Sequence, residues 1–230
     1  MPNYFKTIRL LEDYQKLSFE EKLRAYLFEG EILKVPAQII DEPIIDIRNF
    51  EYKFVLAERL KDFRTRKVMA EKLSRISQKI LLRGLGIKIY ELYRPLSQQK
   101  KEFDQIWGEI AAKNPGLAEA ELWAKVTEFV ADPKLCPPHS TGGAVDLVLY
   151  DLASGKEVEM GSPINAIDEK AALFCPDISP EAQSNRALLL EMMLSEGLAP
   201  MCTEWWHYSY GDAYWAAIYD KPRIFESLDL

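Results

Sequence analysis

Between about Asp62 and Arg83 the chain sets Met69, Leu73, Ile76 and Ile80 three and four residues apart, with polar residues filling most positions between them. Apolar residues at that spacing line one side of an α-helix, and Gly84 stands where a C-terminal cap belongs. The period then changes. Ile87 and Ile89 alternate with Lys88 and Tyr90, which predicts a strand running into Tyr93-Arg94-Pro95.

Other elements follow from local chemistry. Ser18-Phe-Glu-Glu21 has the form of a capping box, so a short helix is expected from there to about Phe28, stopped by Gly30. Pro36 and Pro43 bracket a turn-rich stretch, and Ile44 to Ile47 reads as a short strand. Residues 1–40 are thus expected to form an arm packed on a main domain of residues 41–230. Ser97 can cap a helix to about Lys113, Asn114-Pro115-Gly116 breaks it, and a second helix is expected from about Ala118 to Val130, ahead of Asp132-Pro133. Ala144 to Tyr150 is a strand with Ala144, Asp146 and Val148 on one face and Val145, Leu147 and Leu149 on the other. A turn at Ala153-Ser154-Gly155 suggests a hairpin into Val158-Glu159-Met160. A helix from about Pro180 to Glu196, a strand from Met201 to Tyr210 and a closing helix from Tyr214 to Tyr219 complete the chain. This mixture is compatible with an α+β domain and leaves the topology open.

Composition narrows the class. The 230 residues are enough for one domain with a full core, and 48% hydrophobic with 28% charged residues is the balance of a folded globular protein. A net charge of −7 argues against nonspecific binding to nucleic acid or anionic membranes. The three cysteines form no CxxC pair, which favours a reducing compartment. No stretch reads as a signal peptide or approaches the roughly 20 apolar residues of a membrane span, so a cytoplasmic protein is expected.

The whole chain holds only two histidines, His139 and His207. Each lies near acids: Asp146 follows the first across Gly142-Gly143, and Glu204 precedes the second across Trp205-Trp206. A catalytic zinc typically takes three protein ligands and keeps a position for water, which a carboxylate outside the ligand set can deprotonate. His139, Asp146 and His207 are the candidate ligands and Glu204 the candidate base. In a regular strand Glu204 and His207 would face opposite sides, so the assignment requires a bulge or bend between them. Arg94 is a candidate for stabilising charge on a scissile carbonyl oxygen, because guanidinium is a fixed fork that stays charged. A structural Cys2His2 zinc site, from Cys136-x-x-His139 and Cys202 with His207, is the competing arrangement; it leaves Asp146 and Glu204 unexplained.

These residues carry a resemblance. His139-Ser-Thr-Gly-Gly-Ala-Val-Asp146 resembles the His-x-x-Gly-x-Ala-x-Asp signature of the D-alanyl-D-alanine dipeptidases, the zinc peptidases of the vancomycin-resistance type, and Glu204-Trp-Trp-His207 resembles their second signature. Tyr93-Arg94-Pro95, Met160-Gly161-Ser162 and Asn185-Arg186 follow in the family's order over roughly residues 44 to 220. The resemblance implies an α+β fold with a central antiparallel sheet and flanking helices, shared with D-alanyl-D-alanine carboxypeptidases and the hedgehog signalling domain. It implies one zinc ion on His139, Asp146 and His207, Glu204 as general base, Arg94 at the tetrahedral intermediate, and Glu159 binding the amino group of a small D,D-dipeptide. A D,D-carboxypeptidase acting on longer peptidoglycan precursors and a zinc-stabilised binding module are the alternatives. Four positions depart from the family pattern: Glu159 stands for the usual aspartate, Pro137 for a serine, and Ile164-Asn165 for Phe-Asp.

Overall fold

The computed structural model describes residues 4–127 and 130–230. The chain opens with β1 (Lys6–Ile8), α1 (Leu11–Gln15), α2 (Phe19–Leu23), β2 (Ala25–Leu27) and α3 (Glu29–Ile32). The capping box is present, with Ser18 Oγ accepting from the Glu21 amide and Glu21 accepting from the Ser18 amide. The helix that it starts ends at Leu23, well before the expected Phe28, because Ala25, Tyr26 and Leu27 are buried and pair in parallel with β1. Gly30 consequently lies inside α3 rather than at a helix stop.

Next come β3 (Ile44–Asp46), β4 (Val55–Leu56), β5 (Arg64–Arg66), α4 (Lys67–Leu81) and β6 (Leu85–Glu91). Pairing of β3 with β5 draws the first residues of the expected long helix into a strand, so α4 starts at Lys67. Helices α5 (Leu96–Lys113) and α6 (Glu119–Val126) form the expected hairpin, with Pro95 rather than Ser97 at the cap position of α5. The expected end of the second helix at Val130 is reached across residues outside the described ones. Strand β7 (Ala144–Asp151) follows, then α7 (Pro180–Ser195), β8 (Ala199–Met201), β9 (Glu204–Ser209) and α8 (Ala213–Tyr219). The segment Val158–Met160 forms no strand: an isolated bridge joins Tyr150 to Glu157 just before it and the Val158 amide donates to Leu149 O, while the last expected strand is in fact the β8–β9 hairpin turning at Cys202-Thr203.

The central sheet has the order β4-β6-β7-β9-β8, antiparallel throughout except for the two-residue edge strand β4, which runs parallel to β6. Met69, Leu73, Ile76 and Ile80 of α4 are completely buried with Leu189 and Met193 of α7 against Ile87, Ile89, Val145, Leu147 and Leu149. Each such side chain contributes roughly 2 kcal/mol by leaving water. Strand alternation turns Asp146 to the face away from these residues. A second core joins Leu11, Tyr14, Leu27 and Ile32 of the N-terminal segment to Trp215 and Ile218 of α8.

Candidate active site

The first histidine sits in a single 3-10 turn, Pro138–Thr141, that leads directly into β7. Gly142 ends the turn at φ +74°, a conformation unfavourable for a side chain, while a Cβ on Gly143 would collide with the Tyr210 carbonyl oxygen. The Tyr210 amide also donates to Gly143 O at 2.8 Å, so the close approach ties the turn to the end of β9.

Sheet register supplies the other two members. Asp146 lies directly opposite His207 on β9 and, on its other side, opposite Glu91 on β6. Irregularities flank this row. Two steps of β6, from Ile89 to Glu91, answer one step of β7, and one step of β8, from Pro200 to Met201, answers the four of β9 from Tyr208 to Glu204. Bulges re-aim side chains, and the irregularity required by the odd spacing of Glu204 and His207 is thus present.

Three potential ligand atoms converge. His139 Nε2 is 3.1 Å from His207 Nδ1 and 3.2 Å from Asp146 Oδ1, and His207 Nδ1 is 3.0 Å from the same oxygen. All three residues are buried, and among the described residues they form the one group of histidine, cysteine or carboxylate side chains with metal-binding spacing. A tetrahedral ion bound at 2.0–2.1 Å needs ligand atoms about 3.4 Å apart, close to what is found. His139 Nδ1 lies 2.7 Å from the Leu92 carbonyl oxygen, which can only accept, so in the neutral, ion-binding form of the ring Nδ1 carries the proton and Nε2 presents a lone pair inward. Two nitrogens and one carboxylate oxygen crowded at this distance suit a divalent cation of zinc's character.

The local charges reinforce one another. Burial would pull the His139 pKa down, but the Asp146 and Glu91 carboxylates outweigh it and hold it up at about 9. Burial likewise pushes Asp146 up, and the neighbouring histidines reverse this, leaving it well below the usual carboxylate range. Glu204 is raised, chiefly by burial and against the pull of His207, and its carboxylate makes no hydrogen bond to a described residue. It is the acid of the site that the protein has not already engaged.

Arg94 follows β6 at Pro95. Its Nε–H and Nη2–H donate to the two oxygens of Glu91 at 2.7 and 2.6 Å, and Nη1–H donates to Gln99 Oε1 at 2.9 Å. Its backbone is tied to the histidine turn by Arg94 N–H to His139 O and by Ser140 Oγ–H to Arg94 O. Glu159 is placed apart from the cluster. It is exposed, with one oxygen accepting from the Gly161 amide at 2.6 Å, on the rim of a cavity of about 330 Å³ that Trp205 also lines. The cysteines do not join the histidines: Cys136 Sγ faces Ser227 and Glu226, and burial pushes the Cys202 thiol up to about 12.

Two residues whose roles the sequence did not disclose complete the surroundings. Glu91 is the side-on partner of Arg94; an acid three residues before the arginine is its only mark in the sequence. Arg186, 2% exposed, donates to the carbonyls of Met160, Ala172 and Lys170 at 2.6–2.7 Å and lies over the Trp205 ring.

Fold and site together define an α+β domain built around a buried histidine–aspartate–histidine metal-type cluster with an adjacent free glutamate. The chain belongs to the peptidase M15 family described as D-ala-D-ala dipeptidase, which matches residues 40–226. It is 32% identical over 134 residues to the D-alanyl-D-alanine dipeptidase of Escherichia coli, covering 57% of this chain and 58% of that one. It is also 32% identical over 161 residues to the D-alanyl-D-alanine dipeptidase of Synechocystis, covering 59% of this chain and 63% of that one. The aligned stretches therefore span less than two thirds of these relatives. Among solved structures, the LdcB LD-carboxypeptidase is 15% identical with a TM-score of 0.48, over 96% of this chain and 89% of that chain.

Proposed function

We propose that this protein is a zinc-dependent dipeptidase that hydrolyses D-Ala-D-Ala to two molecules of D-alanine. The observation that carries the reading is the convergence of His139 Nε2, Asp146 Oδ1 and His207 Nδ1 within 3.0–3.2 Å of one another beside an unengaged Glu204, in a member of this family.

In this reading His139, Asp146 and His207 hold one zinc ion. Bound there, zinc supplies Lewis acidity, easing deprotonation of water near neutral pH and polarising a carbonyl group. Glu204 takes the proton from the attacking water and delivers it to the leaving amine; its raised pKa suits both transfers. The C–O bond forms first and moves the carbonyl electron pair onto its oxygen; return of that pair then breaks the C–N bond, and the amine leaves with the proton that Glu204 delivers. Arg94, held by Glu91 and Gln99, faces the negative charge that develops on the carbonyl oxygen. Glu159 binds the substrate's amino group; moving it to the cluster requires release of its bond to the Gly161 amide. Pro137 has no N–H to offer the substrate carboxylate. The three cysteines are free and no helix among the described residues is long and apolar enough to cross a membrane, which supports a cytoplasmic place of action.

Purified protein is expected to contain one zinc per chain and to release D-alanine from D-Ala-D-Ala faster than from a pentapeptide ending in D-Ala-D-Ala. Glu204→Gln should keep the zinc and lose at least about 10²-fold in kcat. Zinc content without release of D-alanine from either substrate would leave the binding-module reading. Full activity in Glu204→Gln would remove Glu204 from the mechanism.

A further inference from the structure

Arg94 has one positive charge and five N–H donors, yet two carboxylates already face it. Glu91 takes the Nε and Nη2 side in a two-pronged grip, and Glu102, reaching across from α5, brings Oε2 to 3.1 Å from Nη1. The two contacts differ in kind. Glu91 is 22% exposed in its side chain and engaged by both oxygens. Glu102 is 39% exposed and meets Nη1 as an ion pair, while the aligned hydrogen bond of Nη1 goes to Gln99 Oε1.

The end of the guanidinium that remains for a substrate is the fork made by one Nη1 hydrogen and one Nη2 hydrogen. Gln99 does not move aside readily, because it is 1% exposed and its Nε2–H is fixed to Ala131 O at 2.8 Å. Glu102 does: it stands near the helix surface, and its other oxygen already accepts from Gln98 Nε2 at 2.9 Å. Arg94 is largely buried, but Glu102 is the more accessible of its two carboxylate partners, so exchange there costs less than breaking the two-pronged grip of Glu91.

We infer that Glu102 competes for the Nη1 side of Arg94 with the negative charge that develops on the scissile carbonyl oxygen, and that one anion replaces the other as that charge forms. Glu102 therefore draws part of the Arg94 charge away from the reacting oxygen and slows hydrolysis of substrates that do not displace it. The inference rests on the role of Arg94 in the proposed function. It makes Glu102 a specificity-determining residue outside the catalytic set.

The test compares Glu102→Gln and Glu102→Ala with the unaltered zinc-loaded protein, and uses Glu109→Gln, an equal charge change further along α5, as control. For D-Ala-D-Ala, kcat/KM is expected to rise roughly two- to fivefold through kcat, with KM unchanged. Glu109→Gln should show no such rise. An unchanged or lowered kcat in both Glu102 variants, a gain through KM alone, or the same gain in Glu109→Gln overturns the inference while leaving the dipeptidase reading in place. Absence of hydrolysis by the unaltered protein and by both variants overturns the dipeptidase reading and the inference with it.

Discussion

Replacing Arg186 by methionine isolates a polar network from the packing around it. Methionine has a similar length and fills much of the same buried volume, but it donates nothing to the carbonyls of Met160, Lys170 and Ala172, which now accept at 2.6–2.7 Å. A buried carbonyl left unpaired costs about 1–3 kcal/mol, and bonds from a charged donor lie toward the upper end of the range. Three such losses, reduced by local relaxation and entry of water, place the expected destabilisation at about 3–6 kcal/mol, a large part of the roughly 5–15 kcal/mol that holds a typical domain folded. The guanidinium makes these bonds without an ion pair among the described residues. Burial lowers its pKa only to about 10, so it stays charged at neutral pH and the effect should be flat from pH 6 to 8. Urea unfolding followed by tryptophan fluorescence is the direct assay, since Trp205 lies under the Arg186 side chain and donates to Ser162 Oγ at 3.0 Å. Arg186→Lys, with one charged donor group and no planar fork, should recover less than half of the loss. A destabilisation below about 1 kcal/mol for Arg186→Met would show that the three carbonyls find other partners and that the network does not anchor the Met160–Ser162 segment.

Gly143→Ala forces a Cβ against the Tyr210 carbonyl oxygen, so it should cost about 1–3 kcal/mol and lower zinc affinity by separating the histidine turn from β9; unaltered thermal stability and zinc binding would refute the close approach. Glu29 is buried and its pKa is raised by that burial to about 7, with Oε2 unpaired. A carboxyl whose folded pKa exceeds its unfolded value of 4.5 binds its proton more tightly in the folded state, so its favourable contribution is complete below pH 4.5 and lost as the pH rises to about 7. Glu29→Gln should therefore gain stability relative to the original protein between pH 5 and pH 8 in denaturant titrations, and a pH-independent difference would contradict the burial argument.

Much of the site was readable because its chemistry is concentrated. With two histidines in the chain, each within seven residues of an acid, the ligand candidates were few. Even the bend between Glu204 and His207 could be inferred, since an odd separation conflicts with a two-residue period. Helix α4 was legible for the same local reason, as four buried residues repeat at helical spacing. Elements that depend on distant partners were hidden. Ala25–Leu27 looks like the continuation of a helix, and only pairing with Lys6–Ile8 makes it a strand. Glu91 reads as one more strand acid until the register sets it opposite Asp146 and the following turn brings Arg94 back to it. Arg186 lies in a helix whose sequence does not announce that its side chain will be buried among backbone carbonyls.

The row Glu91–Asp146–His207 crosses three adjacent strands, and its members come from β6, β7 and β9. Such a cluster has an order of birth. His139 and Asp146 are near neighbours in the chain and meet as soon as one turn closes onto one strand, whereas His207 arrives only when the β8–β9 hairpin adds its edge to β7 across a 61-residue gap. Closing that long loop is entropically slow compared with forming the turn. Capture of an ion by all three side chains would thus be a late event that certifies the strand alignment: a one-residue slip of β9 would turn the imidazole of His207 to the opposite face and leave the pair His139–Asp146 without its third member.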